Sequence, residues 1–323
     1  MKAVKYVLFW VIFLCLLWGL SLLVLPKENT TAAGMQGRDI PAVGVEAEPE
    51  GSLDVIILGD SESQTGISPV EMWQYQGIAS YVCGQSGQRA AEAYYMLKKV
   101  LKRQSPKLVI LEADLFYHSH DNNTELKYSL EKMAQYYFPV FKYHNRWKTL
   151  SEKDWRMKWG GVKRNSCKGF LYDFEIKPYT NGEYMRKTEE SESISQAVTA
   201  WVDQIAALCR EKETELLLVS VPAPKNWDYK RHNGVNAYAE KAGIPYLDLN
   251  LPDSELQIDW SRDSKDQGDH LNAYGAIKVS RYLGKYLKSN YNLPDRRTDQ
   301  EYGEWKEDMH WYRQVVKEIN LPS

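Results

Sequence analysis

Twenty consecutive residues from Tyr6 to Leu25, YVLFWVIFLCLLWGLSLLVL, carry no charge. As a helix rising 1.5 Å per residue, such a run spans the roughly 30 Å hydrocarbon layer of a bilayer. A membrane helix is therefore expected here. Lys2 and Lys5 precede it with no acidic residue. That charge bias keeps the amino terminus cytoplasmic and places everything after Leu25 outside the cell. A cleaved signal peptide is the competing reading, with TTAAG at Thr30 to Gly34 as its processing site. Signal peptides have a shorter apolar region, of about 7–15 residues, so an uncleaved single-pass anchor is favoured.

The rest of the chain is long enough to bury a sizeable core as one large domain. Its charges are nearly balanced: of 41 Lys and Arg and 43 Asp and Glu, only Lys2 and Lys5 precede the anchor, leaving a net of −4 beyond it. A nucleic-acid partner, which calls for a basic face, is not expected. Cys15 lies inside the anchor; Cys83, Cys167 and Cys209 lie outside it, and three cannot all pair. Their wide spacing fits neither a disulfide framework nor a zinc site, and no other His and carboxylate ligands cluster at helical spacing. Neither metal nor cofactor is expected.

Residues 26–52, PKENTTAAGMQGRDIPAVGVEAEPEGS, are rich in Gly, Pro, Ala and Glu without periodicity. They read as a flexible stalk. Strands and helices then alternate. Leu53–Leu58, Ile78–Cys83, Lys107–Ala113, Glu215–Val221 and the segment GIPYLDLN read as strands. Helices are expected from Ser86 to about Arg103, from Ser193 to Lys212, up to Ala242, and from Leu271 to Leu287. Continuous apolar strands alternating with helices imply an α/β fold with a parallel sheet covered on both faces. A stretch rich in aromatic residues, at about 115–192, reads as an insertion following a strand's carboxyl end, placed to wall an active site. Residues 291–323 end in an amphipathic helix carrying Trp305, Met309, Tyr312, Val316 and Ile319. It is expected to pack on the core, with a partner contact as the alternative.

The first strand stops at Gly-Asp-Ser, which leaves Ser61 at a strand's carboxyl end, where open α/β sheets bind ligands. Serine is a weak nucleophile at neutral pH and needs a histidine held by an acid. His270, in SKDQGDHLNAYG, sits where a carboxylate-rich loop meets the last helix, beside Asp266 and Asp269. Capping is the alternative role for Ser61, His270 and either aspartate.

Gly-Asp-Ser after the first strand, GQSGQ at Gly84 to Gln88 after the second and DHLNAYG near the end together resemble the SGNH, or GDSL-like, hydrolase family. The resemblance covers roughly Leu53 to Leu287 and implies a flavodoxin-like sheet with serine esterase or acyltransferase chemistry. Carried over to this chain, Ser61 matches the nucleophile and one backbone oxyanion donor. Gly87 matches the second donor, with Val82 where the family has asparagine, and Gly87 is expected at a helix start, where free N–H groups favour negative charge. Asp114, in LEADLF, stands where the family has an asparagine donor. Ionised, it cannot donate, so it is protonated, or another group serves, or the hole has fewer donors. The family's Asp-x-x-His is displaced: Gln267 is three residues before His270 and Asp266 four, which favours Asp266 as the orienting acid and keeps Asp269 in reserve.

An anchored, outward-facing domain of this type is similar in layout to the members of the family that modify cell-envelope polymers beside membrane-bound O-acyltransferases, as in teichoic acid D-alanylation and polysaccharide O-acetylation. The resemblance thus implies an envelope polysaccharide or teichoic acid substrate and an O-acyltransferase partner. The 11 tryptophans and 22 tyrosines fit a carbohydrate groove, though core packing accounts for most aromatic residues. In PAPKNWDYKRHNGV, Lys225, Trp227, His232 and Asn233 are candidate substrate contacts, with a solvated loop and helix start as the plainer reading. The competing functional class is a degenerate domain of the same fold that binds a polymer or membrane partner without turnover.

Overall fold

The computed structural model describes residues 2–119, 121–150, 152–156, 161–252 and 255–318. Helix α1, Lys2–Val24, leaves most of its large apolar side chains exposed, and among the described residues it alone is long and apolar enough to cross a membrane. Its far end is fastened to the domain. Val140 N–H donates to Ser21 Oγ at 3.2 Å, and Arg146 Nη1 donates to the Val24 carbonyl at 2.7 Å.

The expected stalk is not a tether. Residues 37–47 form helical turns around α2, Ile40–Val43, with Ala42, Val43 and Val45 buried. Tyr81 Oη donates to the Pro41 carbonyl at 2.7 Å, and the Lys168 ammonium donates to both Glu48 oxygens at 2.8 and 2.9 Å, with both residues almost wholly buried. Short apolar residues scattered among Gly and Pro lack a period, yet they still remove surface from water when a core stands beside them.

Strands β1 (Val55–Leu58), β2 (Ser80–Val82), β3 (Leu108–Glu112), β4 (Glu215–Ser220) and β5 (Tyr246–Asp248) form one parallel sheet in the order β2-β1-β3-β4-β5. Alternate residues serve opposite faces. Ile56, Leu58, Val109, Leu111, Leu216 and Leu218 face one core; Val55, Ile57, Leu108, Ile110, Leu217 and Val219 face the other. Burial on both sides explains the continuous apolar runs.

Helices α3 (Ser61–Gly66) and α4 (Pro69–Gln76) follow β1, and α5 (Ala90–Val100) follows β2. The insertion after β3 contains α6 (Asn122–Tyr137), α7 (Val140–Tyr143) and α8 (Glu152–Arg156). Its later part lies along the loops at the sheet's carboxyl rim: Leu171 N–H bonds to Gln64, Lys177 to Ser264 and Tyr179 to Trp260. Helix α9 (Gln196–Glu211) precedes β4, α10 (Tyr229–Ala242) precedes β5, and α11 (Ala273–Asn290) closes the second face. In α12, Gly303–Glu318, Trp305, Met309 and Tyr312 are buried against the first face, Trp305 stacking on Trp73 with ring centroids 4.6 Å apart. Packing on the core is thus its role. Ile319 and the side chain of Val316 lie outside the described residues.

Candidate active site

The chain runs from β1 outward to β2 and then returns to β3 on the other side. That reversal opens a crevice at the carboxyl ends of β1 and β3, where ligands bind in sheets of this order. Gly59 leaves β1 with φ +146°, and a Cβ there would lie 2.5 Å from Glu112 Cβ, so only glycine permits this turn beside β3. Asp60 caps α3 by accepting from Glu62 N–H at 3.1 Å, and Ser61 is the helix's first residue.

The Ser61 hydroxyl donates to Glu62 Oε2 at 3.3 Å. On the opposite loop, Asp266 holds His270 twice: Oδ1 accepts from the His270 backbone N–H at 2.6 Å, and Oδ2 meets Nδ1 at 2.6 Å. The extra residue between acid and histidine is absorbed by a left-handed turn, with φ +66° at Gln267 and +91° at Gly268. Asp269 stands further from Nδ1, at 4.0 Å, and accepts from Asn226 Nδ2 at 2.8 Å. His270 Nε2 is buried without a hydrogen-bond partner among the described residues and lies 3.9 Å from Glu62 Oε1. Serine and imidazole thus meet on the two oxygens of one carboxyl group, which Asn226 Nδ2 also contacts at 2.5 Å.

Behind Ser61 lies a second constellation that the sequence reading did not single out. His118 Nε2 is 2.5 Å from Asp60 Oδ2 and 3.7 Å from Asp114 Oδ2, while Arg231 Nη1 donates to Asp114 Oδ1 at 3.2 Å and also to the Asn226 carbonyl. Glu112 accepts the Asp114 N–H at 3.0 and 3.1 Å. Asp60, Glu62, Glu112 and Asp114 are all buried, and four neighbouring carboxyl groups cannot all ionise in low dielectric. Burial pushes Asp60 up, but the hydrogen bonds from His118 and Glu62 outweigh it and hold Asp60 well below the usual carboxylate range. Burial and the Asp60 charge push Glu62 and Glu112 well above it. Asp114 is pushed up to about 7, first by burial and then by Asp60, against the opposing pull of His118 and Arg231. Burial alone would lower the His118 imidazole; its bond to Asp60 raises it instead. Asp60, Asp114 and His118 on one side, and Glu62, Asp269 and His270 on the other, each bring three ligand atoms within 4.8 Å of one another, spacing that a divalent cation could use.

Several sequence expectations need correction. Gly87 is not at a helix start: it lies in an exposed turn with φ +64°, and α5 begins at Ala90 with Arg89 as its N-cap. The turn is tied to the Ser61 segment by Gln85 N–H to the Gly59 carbonyl at 3.0 Å and by Gln88 Oε1, which accepts from Gly59 N–H at 3.2 Å. Trp227 is buried and donates to Asp248 Oδ2 at 3.0 Å, and His232 Nδ1 meets that same oxygen at 2.8 Å. Asn233 donates to the Thr188 and Glu190 carbonyls, both at 2.8 Å, binding α10 to the insertion. All three already make structural hydrogen bonds, and Lys225 Nζ donates to the Asp266 carbonyl at 2.7 Å. From that segment Asn226 also bonds Glu62 and Asp269, and Arg231 bonds Asp114.

No protein-family model matches the sequence, and no curated protein matches it. Among solved structures, a GDSL-like lipase from Bacteroides thetaiotaomicron is similar over 79% of this chain and 98% of its own, with 12% identity and a TM-score of 0.42. A family 3 carbohydrate esterase from Clostridium thermocellum is similar over 73% of this chain and 96% of its own, with 13% identity and a TM-score of 0.37.

Proposed function

We propose that the protein is a serine esterase or O-acyltransferase of the SGNH type, anchored by α1 with its domain outside the cell, acting on envelope polysaccharide or teichoic acid through an acyl-serine. One observation carries this reading: Asp266 fixes His270 at Nδ1 and leaves Nε2 buried and unpartnered beside the carboxyl group that Ser61 touches. A base held in one tautomer with its other nitrogen free is what activation of a serine requires.

Once Glu62 yields its contact, Ser61 Oγ attacks the ester carbonyl carbon and its proton passes to Nε2. The imidazolium is stabilised by Asp266. The developing oxyanion is met by the Ser61 N–H, the Gly87 N–H of the adjoining turn, and Asp114 in its protonated form. His270 returns the proton to the leaving alcohol, and the acyl group passes from serine to water or to a sugar hydroxyl. Exposed Phe141 on α7 and Trp147 in the next turn, both on segments packed against α1, suit the headgroup layer and favour a site close to the bilayer. A membrane-bound O-acyltransferase would be placed to supply the acyl group.

The full chain in neutral detergent is assayed with an aryl acetate, beside Ser61→Ala. Loss of turnover in the variant, with an acyl adduct on Ser61 seen by peptide mass in the wild type, is expected. The Ser61–Glu62 contact in place of a Ser61–His270 bond favours the second reading, a binding domain without turnover; rates for both proteins no higher than the uncatalysed background would support it.

A further inference from the structure

A basic hollow lined by tyrosines opens where the chain leaves α1. It holds about 590 Å³, with Leu25 on one side and Lys98, Lys102, Tyr136 and Tyr143 among its walls. A second hollow of about 370 Å³ shares Tyr95, Lys98 and Tyr137 with it and extends to Trp201.

Its charge is only partly neutralised. Lys99 pairs with Glu46, Lys132 with Glu92 at 3.3 Å and Lys142 with Asp39 at 2.6 Å. Lys98 and Lys102 pair with no carboxylate among the described residues. Tyrosines hold them instead: Lys98 Nζ donates to Tyr137 Oη at 3.4 Å and lies 5.7 to 5.8 Å from the centroids of Tyr94, Tyr136 and Tyr137, and Lys102 Nζ lies 5.4 Å from that of Tyr136. Lysines at a helix's carboxyl end complement its dipole wherever they point. The dipole does not require two ammonium groups gathered on one tyrosine at the rim of a cavity. Side chains ordered in advance lose less freedom when an anion arrives.

We propose that this hollow binds the phosphate of an anionic phospholipid headgroup in the leaflet where α1 ends. Lys98 and Lys102 take the phosphate, the tyrosine hydroxyls meet headgroup oxygens, and Leu25 and Met96 border the first carbons of the acyl chains. The inference rests on the membrane placement proposed above. A headgroup held there, together with the clamp of Arg146 on α1, sets the domain's tilt and so the height of Ser61 above the bilayer.

Full-length protein in neutral detergent is titrated with dihexanoyl phosphatidylglycerol, dihexanoyl phosphatidylcholine and inorganic phosphate, and occupancy is read by native mass spectrometry. Phosphatidylglycerol is expected to bind about tenfold or more tightly than either of the others, the scale two juxtamembrane lysines supply. Lys98→Gln with Lys102→Gln should abolish that preference, Lys98→Arg with Lys102→Arg should keep it, and Lys241→Gln on exposed α10 surface should leave it unchanged. Equal affinity for the two lipids, binding of inorganic phosphate as tight as that of phosphatidylglycerol, or a preference that survives the double Gln variant overturns the proposal. Alkaline carbonate treatment of membranes separates the two levels. Release of the chain overturns the membrane reading itself, whereas a retained chain without lipid preference overturns this site alone.

Discussion

Asp114 stands where an amide donor is expected, and its surroundings bear on that difficulty directly. With its carboxyl pushed up to about 7 by burial and by Asp60, a large share of it is protonated near neutral pH and can donate. Donation is available below that value and is lost as pH rises through it. A fall in kcat/KM on raising pH through about 7 is therefore expected, and Asp114→Asn, a permanent donor, should remove the fall; an alkaline limb identical in both proteins would count against the role. Asp266→Asn should lower kcat on the order of 10⁴-fold, because the imidazole loses its orienting acceptor. Asp269→Asn, 4.0 Å from Nδ1, should cost far less, and steady-state rates of the pair distinguish the two acids. Ser61, His270 and Asp266 stood out as candidates because each lies beside a strand end or helix start. Glu62, adjacent to Ser61, was in plain view but carried no motif, and His118 lay in an aromatic stretch whose path was not readable.

Among the elements, the strands were the clearest to read, since continuous burial on two faces writes itself into composition. Helix starts were less so: the segment before α5 has good helix formers, yet Gln88 spends its side chain on Gly59, Cys83 and Gln85, which holds the chain out of the helix until Ala90. The turn at Gln267 and Gly268 shows the converse, a local strain that serves the site. A Cβ on Gly268 would lie 2.7 Å from Tyr179 Cδ2 in a backbone region that L residues rarely adopt. Gly268→Ala should accordingly displace Asp266, lowering turnover and the melting temperature together; an unchanged rate would show the turn to be dispensable. The buried pair between Lys168 and Glu48 binds the segment after α2 to the insertion. Lys168→Met leaves a buried acid uncompensated and should cost about 3–5 kcal/mol in denaturant unfolding. Trp227, His232 and Asn233 illustrate the limit of reading by residue type: each is chemically fit for substrate, and each already has a structural partner.

At the scale of the whole molecule, the domain rides directly on α1. Residues 26–52 lie against the body of the protein, and Arg38 pairs with Glu92 at 2.9 Å. Limited digestion with trypsin should therefore spare the bond after Arg38 in the folded chain, as peptide mass mapping would show; rapid cleavage there would restore a free tether. The insertion divides its work, its early helices packing near α1 and α5 and its later residues lining the loops that carry Asp266 and His270. Among the described residues the insertion thus reaches both the end of the apolar helix and the loops of the crevice.

By itself the sequence determined the apolar helix and the parallel α/β class and singled out Ser61, His270 and Asp266 as candidates, because periodicity, length and local spacing are properties of neighbouring residues. Tertiary structure alone decided that Glu62 stands against both serine and imidazole, that Asp60, His118, Asp114 and Arg231 form one cluster of hydrogen bonds and ion pairs beside them, and that the expected stalk packs in part against the domain. The physical reason is the same in each case: burial and electrostatic coupling depend on what distant segments place around a group, and proximity along the chain does not encode that.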